Sequence, residues 1–565
     1  MKLVRMILQG GSESVHMTIH KMKETTFKEA TLAEWEQVAI KSLKGKTLES
    51  LSTKTLEEII LKPLYSLADL VDIPTNQTKI VRQAKKSSEW LVAQTVTGIS
   101  SEEILADMKD SLAKGNDVIN YKLDPKHNWS SSDLKELKAI IGRQTVLLDV
   151  SSDPSFLHNF TDIKGMIKGA GAVHLPNART YFLDGSRMHK MGGDAVSELS
   201  NVLVQADAKA ATIDLEELSK KAFVEFSIDT NFFMEIAKLR AFRILWKAFG
   251  EAHGNSNIAA VPVHAETSLR SFSVLDSNVN ILRAGNSSLA AVLGGADSVT
   301  TYPHDYLTGA NPTSKRIARN MQLVLKEETH INQILDASGG SYYIETLTKE
   351  LVEKSWSFFL ELMNESTLED REFKLNERAT HKWEQQIAAL STRKKSLIGT
   401  NVYANPDDHV QNEIIPTDYK RLAAPFEQLR KAFQEKPLKT AIIPYGTLKE
   451  YKVRMDFVSG YLIALGVSLK VAPENLKPFD LRKWIDEQGI DYVVFVGNDE
   501  QTAGLVPALL NEQLPVPMDV AGKFEEYEDW LDAGLSGRIY SGQSLLEKGN
   551  ELLALAKKED SHDNT

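Results

Sequence analysis

A small set of polar residues closes apolar runs in the middle of this chain, and they are the first candidates for chemistry. They are Thr95, Ser186, Arg187, His189, His264, Glu266, His304 and Asp305. His264 and Glu266 stand two apart, so on a strand their side chains share a face. Such a pair can bind a metal or pass a proton, or it can belong to a hydrogen-bonded polar layer. Spacing identifies no further metal ligand. Arg187 and Lys190 suit an anionic group, a phosphate or a carboxylate; the alternative is a pair of loop cations in solvent. The chain has no cysteine, which removes disulfides, thiolate zinc sites, iron–sulfur clusters and cysteine nucleophiles together. No phosphate-cradling G-x-x-x-x-G-K-[ST], no G-x-G-x-x-G after a strand, no G-x-S-x-G and no H-E-x-x-H is present. The nearest Gly-rich stretch, Leu293-Gly294-Gly295-Ala296, reads as a turn.

The elements that must position these residues are short β-rich runs separated by helical stretches. Eight runs are expected: Leu91–Val96, Val118–Leu123, Thr145–Val150, Ala170–Leu175, Tyr181–Gly185, Phe223–Ile228, Ala259–Val263 and Ser298–Tyr302. Most are apolar with little strict alternation, as buried parallel strands require. Eight strand–helix units over about 200 residues match a (β/α)8 TIM barrel, whose chemistry sits at the carboxyl ends of the strands. A doubly wound open sheet is the alternative. Asn311-Pro312 opens a further helix, with Ile317, Met321, Val324 and Leu325 on one face.

The tail repeats the strand–helix rhythm five times, with strands at Ala441–Pro444, Ser468–Val471, Tyr492–Val496, Val516–Val520 and Arg538–Tyr540. That pattern predicts a small flavodoxin-like, doubly wound α/β domain. The expected organisation is a tail at 1–26 (disordered, with Met17 as an alternative start), an arm at 27–75, a barrel at 76–400, a linker at 401–438 and the second α/β domain at 439–560. Thr31-Leu32-Ala33-Glu34 resembles a capping box that starts a helix in the arm, and an extended piece follows at Ile60–Tyr65.

The chain has 565 residues, and 66 Lys+Arg against 77 Asp+Glu leave a formal charge of −11. An apolar fraction of 42% with 25% charged residues is that of a globular protein. The acidic balance argues against nucleic acid or an anionic membrane as the main partner. No apolar run reaches the roughly 18 residues of a membrane span, and Met1–Leu8 is too short for a secretory core, so a cytoplasmic protein is expected.

Longer stretches carry a resemblance. Phe226-Ser227-Ile228-Asp229-Thr230-Asn231 running on to Ala241, His264-Ala265-Glu266-Thr267-Ser268, and Ser314-Lys315-Arg316-Ile317-Ala318-Arg319-Asn320-Met321-Gln322 resemble the methylmalonyl-CoA mutase family. Asp336-Ala337-Ser338-Gly339-Gly340-Ser341-Tyr342 looks like that family's D-x-x-G-G-S-Y turn, and Lys62-Pro63-Leu64-Tyr65 and Trp90–Gly98 are also similar. The resemblance runs from about Phe27 to Ala556. It implies an isomerase of propionate metabolism, with a barrel that holds an acyl-CoA along its axis and a carboxyl-terminal cobalamin domain. In such enzymes adenosylcobalamin supplies a carbon radical and the protein supplies binding and orientation.

The chain departs from the family where that chemistry is done. The D-x-H-x-x-G positions, whose His ligates cobalt in active members, fall on Lys449-Glu450-Tyr451-Lys452-Val453-Arg454. Tyr451 has no imidazole nitrogen, and Arg454 replaces a Gly that allows close backbone approach. Val496-Gly497-Asn498 replaces an S-x-L element, and Asp519-Val520-Ala521 lies where a G-G pair is usual. No His occurs between Lys439 and Lys557. In the barrel, Gly185-Ser186-Arg187-Met188-His189 stands for G-Y-H-M-Q, Thr95 falls on a radical-guiding Tyr, and Glu266 stands where Gln is usual; His264 matches.

The resemblance therefore implies a vestigial substrate pocket at Thr95, Ser186, Arg187, His189, His264 and Glu266. It also implies no catalytic residue, no metal and no cofactor in this chain. The expected role is that of a non-catalytic chain in a heterodimer whose large subunit binds adenosylcobalamin. The competing readings are a self-sufficient, diverged acyl-CoA isomerase, and a flavodoxin-like ligand module whose loop Tyr445–Lys449 holds a phosphate such as that of FMN.

Overall fold

The structure, a computed structural model, describes residues 23–24 and 30–559 apart from 72, 75, 161, 171–172, 174 and 412–418. The tail expected at 1–26 lies outside the described residues but for Lys23 and Glu24. The chain divides into two units, Met1–Tyr65 and Ser66–Thr565. In the first, Thr31 caps the helix Leu32–Ser42, and Glu34 returns the bond to the Thr31 backbone, completing the capping box. Thr53–Lys54 then pairs antiparallel with Ile60–Leu61.

The second unit opens with a closed parallel barrel. Its strands are β1 (Leu91–Thr95), β2 (Val118–Lys122), β3 (Thr145–Asp149), β4 (Lys164–Lys168), β5, β6 (Ala222–Ile228), β7 (Val263–Thr267) and β8 (Ser298–Thr300). Strand β5 is interrupted at Thr180. Its first half, Ala178–Arg179, pairs with β4, and its second half, Tyr181–Asp184, pairs with β6. Strand β8 pairs with both β7 and β1, so the ring closes in chain order and the open-sheet alternative falls.

Two strands sit elsewhere than expected. The fourth is Lys164–Lys168, not Ala170–Leu175, because Gly165 and Gly169 break the apolar pattern without ending the strand region. The seventh is Val263–Thr267, not Ala259–Val263. Propensity favoured the apolar run before Val263, but only the polar run His264–Thr267 can pair in register with Glu225–Ile228.

Pairing register fixes which residues face the axis. Ala93, Val118, Leu147, Met166 and Phe223 form an apolar layer, with Phe182 packed against it and stacked on Phe223 at 5.2 Å. One step towards the carboxyl ends, β1, β2, β3, β4 and β6 present Thr95, Asn120, Asp149, Lys168 and Glu225, and β7 adds Glu266. The sequence thus builds a dry lower barrel beneath a polar upper one.

Beyond the barrel run two long helices, Tyr342–Met363 and Leu368–Ser391. Residues 401–438, read as linker, contain the helix Ala424–Glu435, whose Phe426, Leu429 and Phe433 are buried. The last sheet has strands β9 (Lys439–Pro444), β10 (Ser468–Val471), β11 (Tyr492–Val496), β12 (Met518–Ala521) and β13 (Gly537–Ile539). All are parallel, in the order β10-β9-β11-β12-β13, the flavodoxin-like order. Among the described residues no helix is long and apolar enough to cross a membrane.

Candidate functional site

The upper barrel encloses a cavity of about 190 Å³. Thr95, Asn120, Asp149, Lys168, Lys190, Glu266, Tyr302, Tyr306 and Tyr419 are on its wall. Pockets for drug-sized ligands are larger, roughly 300–1,000 Å³. Below the cavity the Phe182–Phe223 layer fills the axis.

Among its charges Lys168, Lys190 and Glu266 are ion-paired, while Lys122 and Asp149 also line it. Lys168 contacts the carboxylate of Glu225, and Lys190 lies 3.3 Å from that of Glu266. Glu266 also accepts from the Tyr302 hydroxyl at 2.8 Å and from the Ser227 hydroxyl at 3.1 Å. Burial works against ionising Glu266, but Lys190 and Lys168 outweigh it and bring its pKa down to about 2. The same carboxylates, working against burial, raise both lysines above their ordinary range. His264 lies deeper on β7, its Nδ1 2.8 Å from the Ser298 hydroxyl, and burial with the nearby Lys168 lowers it to about 3. His264 and Glu266 thus belong to a hydrogen-bonded polar layer, and among the described residues no group of three His, Cys, Asp or Glu could hold a metal ion.

Behind this wall runs a second buried network. Lys238 Nζ reaches Glu198 at 2.8 Å, Glu235 at 2.5 Å and the Ser227 carbonyl at 2.7 Å. Glu198 in turn lies 3.1 Å from His189 Nδ1, and His189 Nε2 lies 2.6 Å from the Ser268 hydroxyl. A carboxylate only accepts, so Nδ1 carries the proton and Nε2 accepts from Ser268. Burial, followed by Arg270, pushes His189 well below its ordinary value, which keeps the ring neutral. Ser268, His189 and Glu198 have the connectivity of an acyl-transfer triad. Yet all three are buried, Glu198 is shared with Lys238, and the Leu269 N–H, where an oxyanion donor would stand, is given to the Tyr419 hydroxyl at 3.2 Å. It works as a closed hydrogen-bond relay.

The expected pocket residues therefore separate. Thr95 and Glu266 line the cavity, and the Thr95 hydroxyl is buried without a protein partner. Ser186 touches the rim through Glu225 at 3.3 Å, His264 lies beneath, and His189 stands behind the wall. Arg187 turns outward to Glu372 of the helix Leu368–Ser391, so only Lys190 of the two expected cations faces the cavity. Asp305 accepts from Asn311 at 2.6 Å, and the His304 carbonyl accepts from Asn280 at 2.9 Å; both belong to the loop after β8.

Asn120, Asp149, Lys168, Glu225, Tyr302, Tyr306 and Tyr419 were not anticipated. Glu225 could have been, since a single charge inside Ala222–Ile228 must find a partner. Lys168 was lost with the misplaced fourth strand. Nothing local marks Tyr419.

In the last domain, ligands of such sheets bind where strand order reverses, at the carboxyl ends of β9 and β11. There Arg454, from the helix Leu448–Leu465, donates to the Gly497 carbonyl at 2.7 Å, pairs with Asp499 and lies over the Phe524 ring at 5.5 Å. Asn475 closes the neighbouring turn, accepting from the Gly446 N–H at 2.7 Å and donating back to its carbonyl at 3.0 Å. Thr447 caps the helix and bonds Glu450, so its donors do not face a phosphate. Tyr451 engages Glu474 through its hydroxyl, and Lys449 is exposed. Arg454, Asn475, Thr447 and Tyr451 thus bond to neighbouring side chains and backbone, and none of them carries an imidazole.

Comparison with known proteins follows the same lines. Residues 166–443 match the family model described as methylmalonyl-CoA mutase. A methylmalonyl-CoA mutase small subunit from Porphyromonas gingivalis is 28% identical over 525 residues, covering 79% of this chain and 84% of that protein. A probable methylmalonyl-CoA mutase small subunit from Mycobacterium bovis is 30% identical over 307 residues, 51% of this chain and 50% of the relative. The mitochondrial methylmalonyl-CoA mutase of Mus musculus is 26% identical over 409 residues, 58% and 54% respectively.

Proposed function

We propose that this chain, which is similar to the methylmalonyl-CoA mutase family over residues 166–443 and to a methylmalonyl-CoA mutase small subunit over most of its length, is the non-catalytic small subunit of a heterodimeric, adenosylcobalamin-dependent mutase of the cytoplasm. The large subunit would bind the cofactor, whose chemistry is a carbon radical, and convert (R)-methylmalonyl-CoA to succinyl-CoA. This chain would stabilise and cover that subunit.

The observation that carries the reading is the position of Arg454. A guanidinium bonded to Gly497 and Asp499 stands near the carboxyl ends of the sheet, where a cobalamin-binding member would need room for the cofactor, five residues past the loop Tyr445–Lys449, whose own donors are internally bonded. The ion-paired barrel supports it from the other side. Neither Lys168 nor Lys190 can meet a substrate carboxylate without leaving Glu225 or Glu266 unpaired in a buried site.

The test is a cobalamin titration of the purified chain alone, then a mutase assay with and without the large subunit. No binding alone and turnover only with the partner supports the subunit. Binding with turnover by the lone chain would establish the self-sufficient isomerase instead.

A further inference from the structure

One residue at the barrel mouth belongs to none of the barrel's own strands or loops. Tyr419 arrives from the segment that leads into the last domain, more than a hundred residues after β8. The backbone beyond it is pinned to the barrel: the Lys420 N–H donates to the Lys190 carbonyl at 3.0 Å, and the Leu422 N–H to the Arg270 carbonyl at 2.8 Å. That anchoring delivers the Tyr419 ring into the cavity wall, where it packs with Leu269 and Tyr306. Lys190 Nζ lies 5.9 Å from the ring centroid, within cation–π range. The hydroxyl accepts from the Leu269 N–H at 3.2 Å and lies 3.4 Å from the Ser268 hydroxyl.

Every element of phenol recognition is thus met by this one side chain. Its hydroxyl has a backbone donor and a hydroxyl partner, its face has a cation, and its edge has an apolar bed. Ser268 is itself held by His189 and, through it, by Glu198 and Lys238, so the donor set is stiff.

We propose that the mouth of this barrel is a phenol-recognising site occupied by the chain's own Tyr419. The role is distinct from that of a packing tyrosine, because the site remains a site when the tyrosine is taken away. Removing the side chain should leave a cavity with its donors in place, and p-cresol, the tyrosine side chain as a free molecule, should enter it. The proposal goes beyond the subunit reading and needs no partner chain for its test, so either can fail without the other.

The experiment uses the full chain as wild type, Tyr419→Ala and Tyr419→Phe, with p-cresol and toluene as probes in calorimetric titration and thermal shift. The Ala variant should bind p-cresol saturably and rise in Tm with it. It should bind toluene about tenfold more weakly, the worth of one hydrogen bond. Wild type and Tyr419→Phe, whose rings still occupy the site, should bind neither. Equal p-cresol binding by wild type, or a Tyr419→Ala chain of native circular dichroism that shows no preference for p-cresol, overturns the proposal. Should the Ala variant not fold, amide exchange in Tyr419→Phe decides. Faster exchange at Leu269, which loses its acceptor, supports recognition of the hydroxyl, and unchanged protection overturns it.

Discussion

At the scale of single residues, the barrel interior is governed by what it costs to leave a charge unpaired. Lys168 and Glu225 face each other with little exposure. Lys168→Met should therefore destabilise the chain by about 3–5 kcal/mol, and the double variant Lys168→Met/Glu225→Gln should recover most of that loss in urea denaturation. A double variant no more stable than the single would mean the pair is not what holds Glu225. His264 offers a pH test. Its pKa is about 3 in the folded chain against an ordinary 6.5, so the unfolded chain takes up the proton first. The stability this contributes is complete above about pH 6.5 and is lost as pH falls towards 3. Stability measured between pH 7 and 4 should drop more steeply for wild type than for His264→Gln; parallel curves would remove His264 as the cause.

Elements make the second level legible. The helix Pro312–Glu327 begins where Asn311-Pro312 said it should, with the Asn311 side chain accepting from the Thr313 and Ser314 N–H groups at 2.9 and 3.0 Å. Asn311→Ala should cost about 1 kcal/mol in a denaturant midpoint series. The D-x-x-G-G-S-Y turn is explained by an element contact rather than by chemistry. Arg240, buried in the helix Phe232–Ala252, holds Asp336 of the turn and Glu345 just inside the next helix, while Gly340 takes a φ of +87° that only glycine adopts freely. Where elements were misread, the reason is likewise physical. A polar strand such as His264–Thr267 is stable only because its inward side chains are satisfied across the barrel, and no local propensity signals that.

For the molecule as a whole, the contact between barrel and last domain is the decisive feature. Arg421 pairs with Glu427 at 2.5 Å and donates to the Phe272 carbonyl at 3.0 Å, and Glu427 accepts from Ser273 and Val274 of the loop after β7. Ser391 and Ser544 meet at 2.7 Å, and one apolar cluster runs from Leu390 through Phe426 to Tyr461 and Leu552. Barrel and last domain should therefore unfold in a single calorimetric transition. Arg421→Ala, which leaves Glu427 unpaired, should lower its Tm and split it in two. One undivided transition in that variant would place the coupling elsewhere, in the apolar cluster.

By itself the sequence determined much of this protein. The alternation of strands and helices, the five-strand last domain, the helix caps, the family resemblance and the absence of His between Lys439 and Lys557 are all local properties, readable from periodicity, residue type and matched runs. Only the tertiary structure decided the rest: that Lys168 meets Glu225, that Arg187 turns away while Lys190 turns in, that Arg454 bonds the Gly497 carbonyl, and that Tyr419 reaches the barrel mouth. These contacts join residues dozens to more than a hundred positions apart. Which charge finds which partner is set by barrel register and by the path of the connecting segment, and neither leaves a trace in the spacing of the residues it brings together.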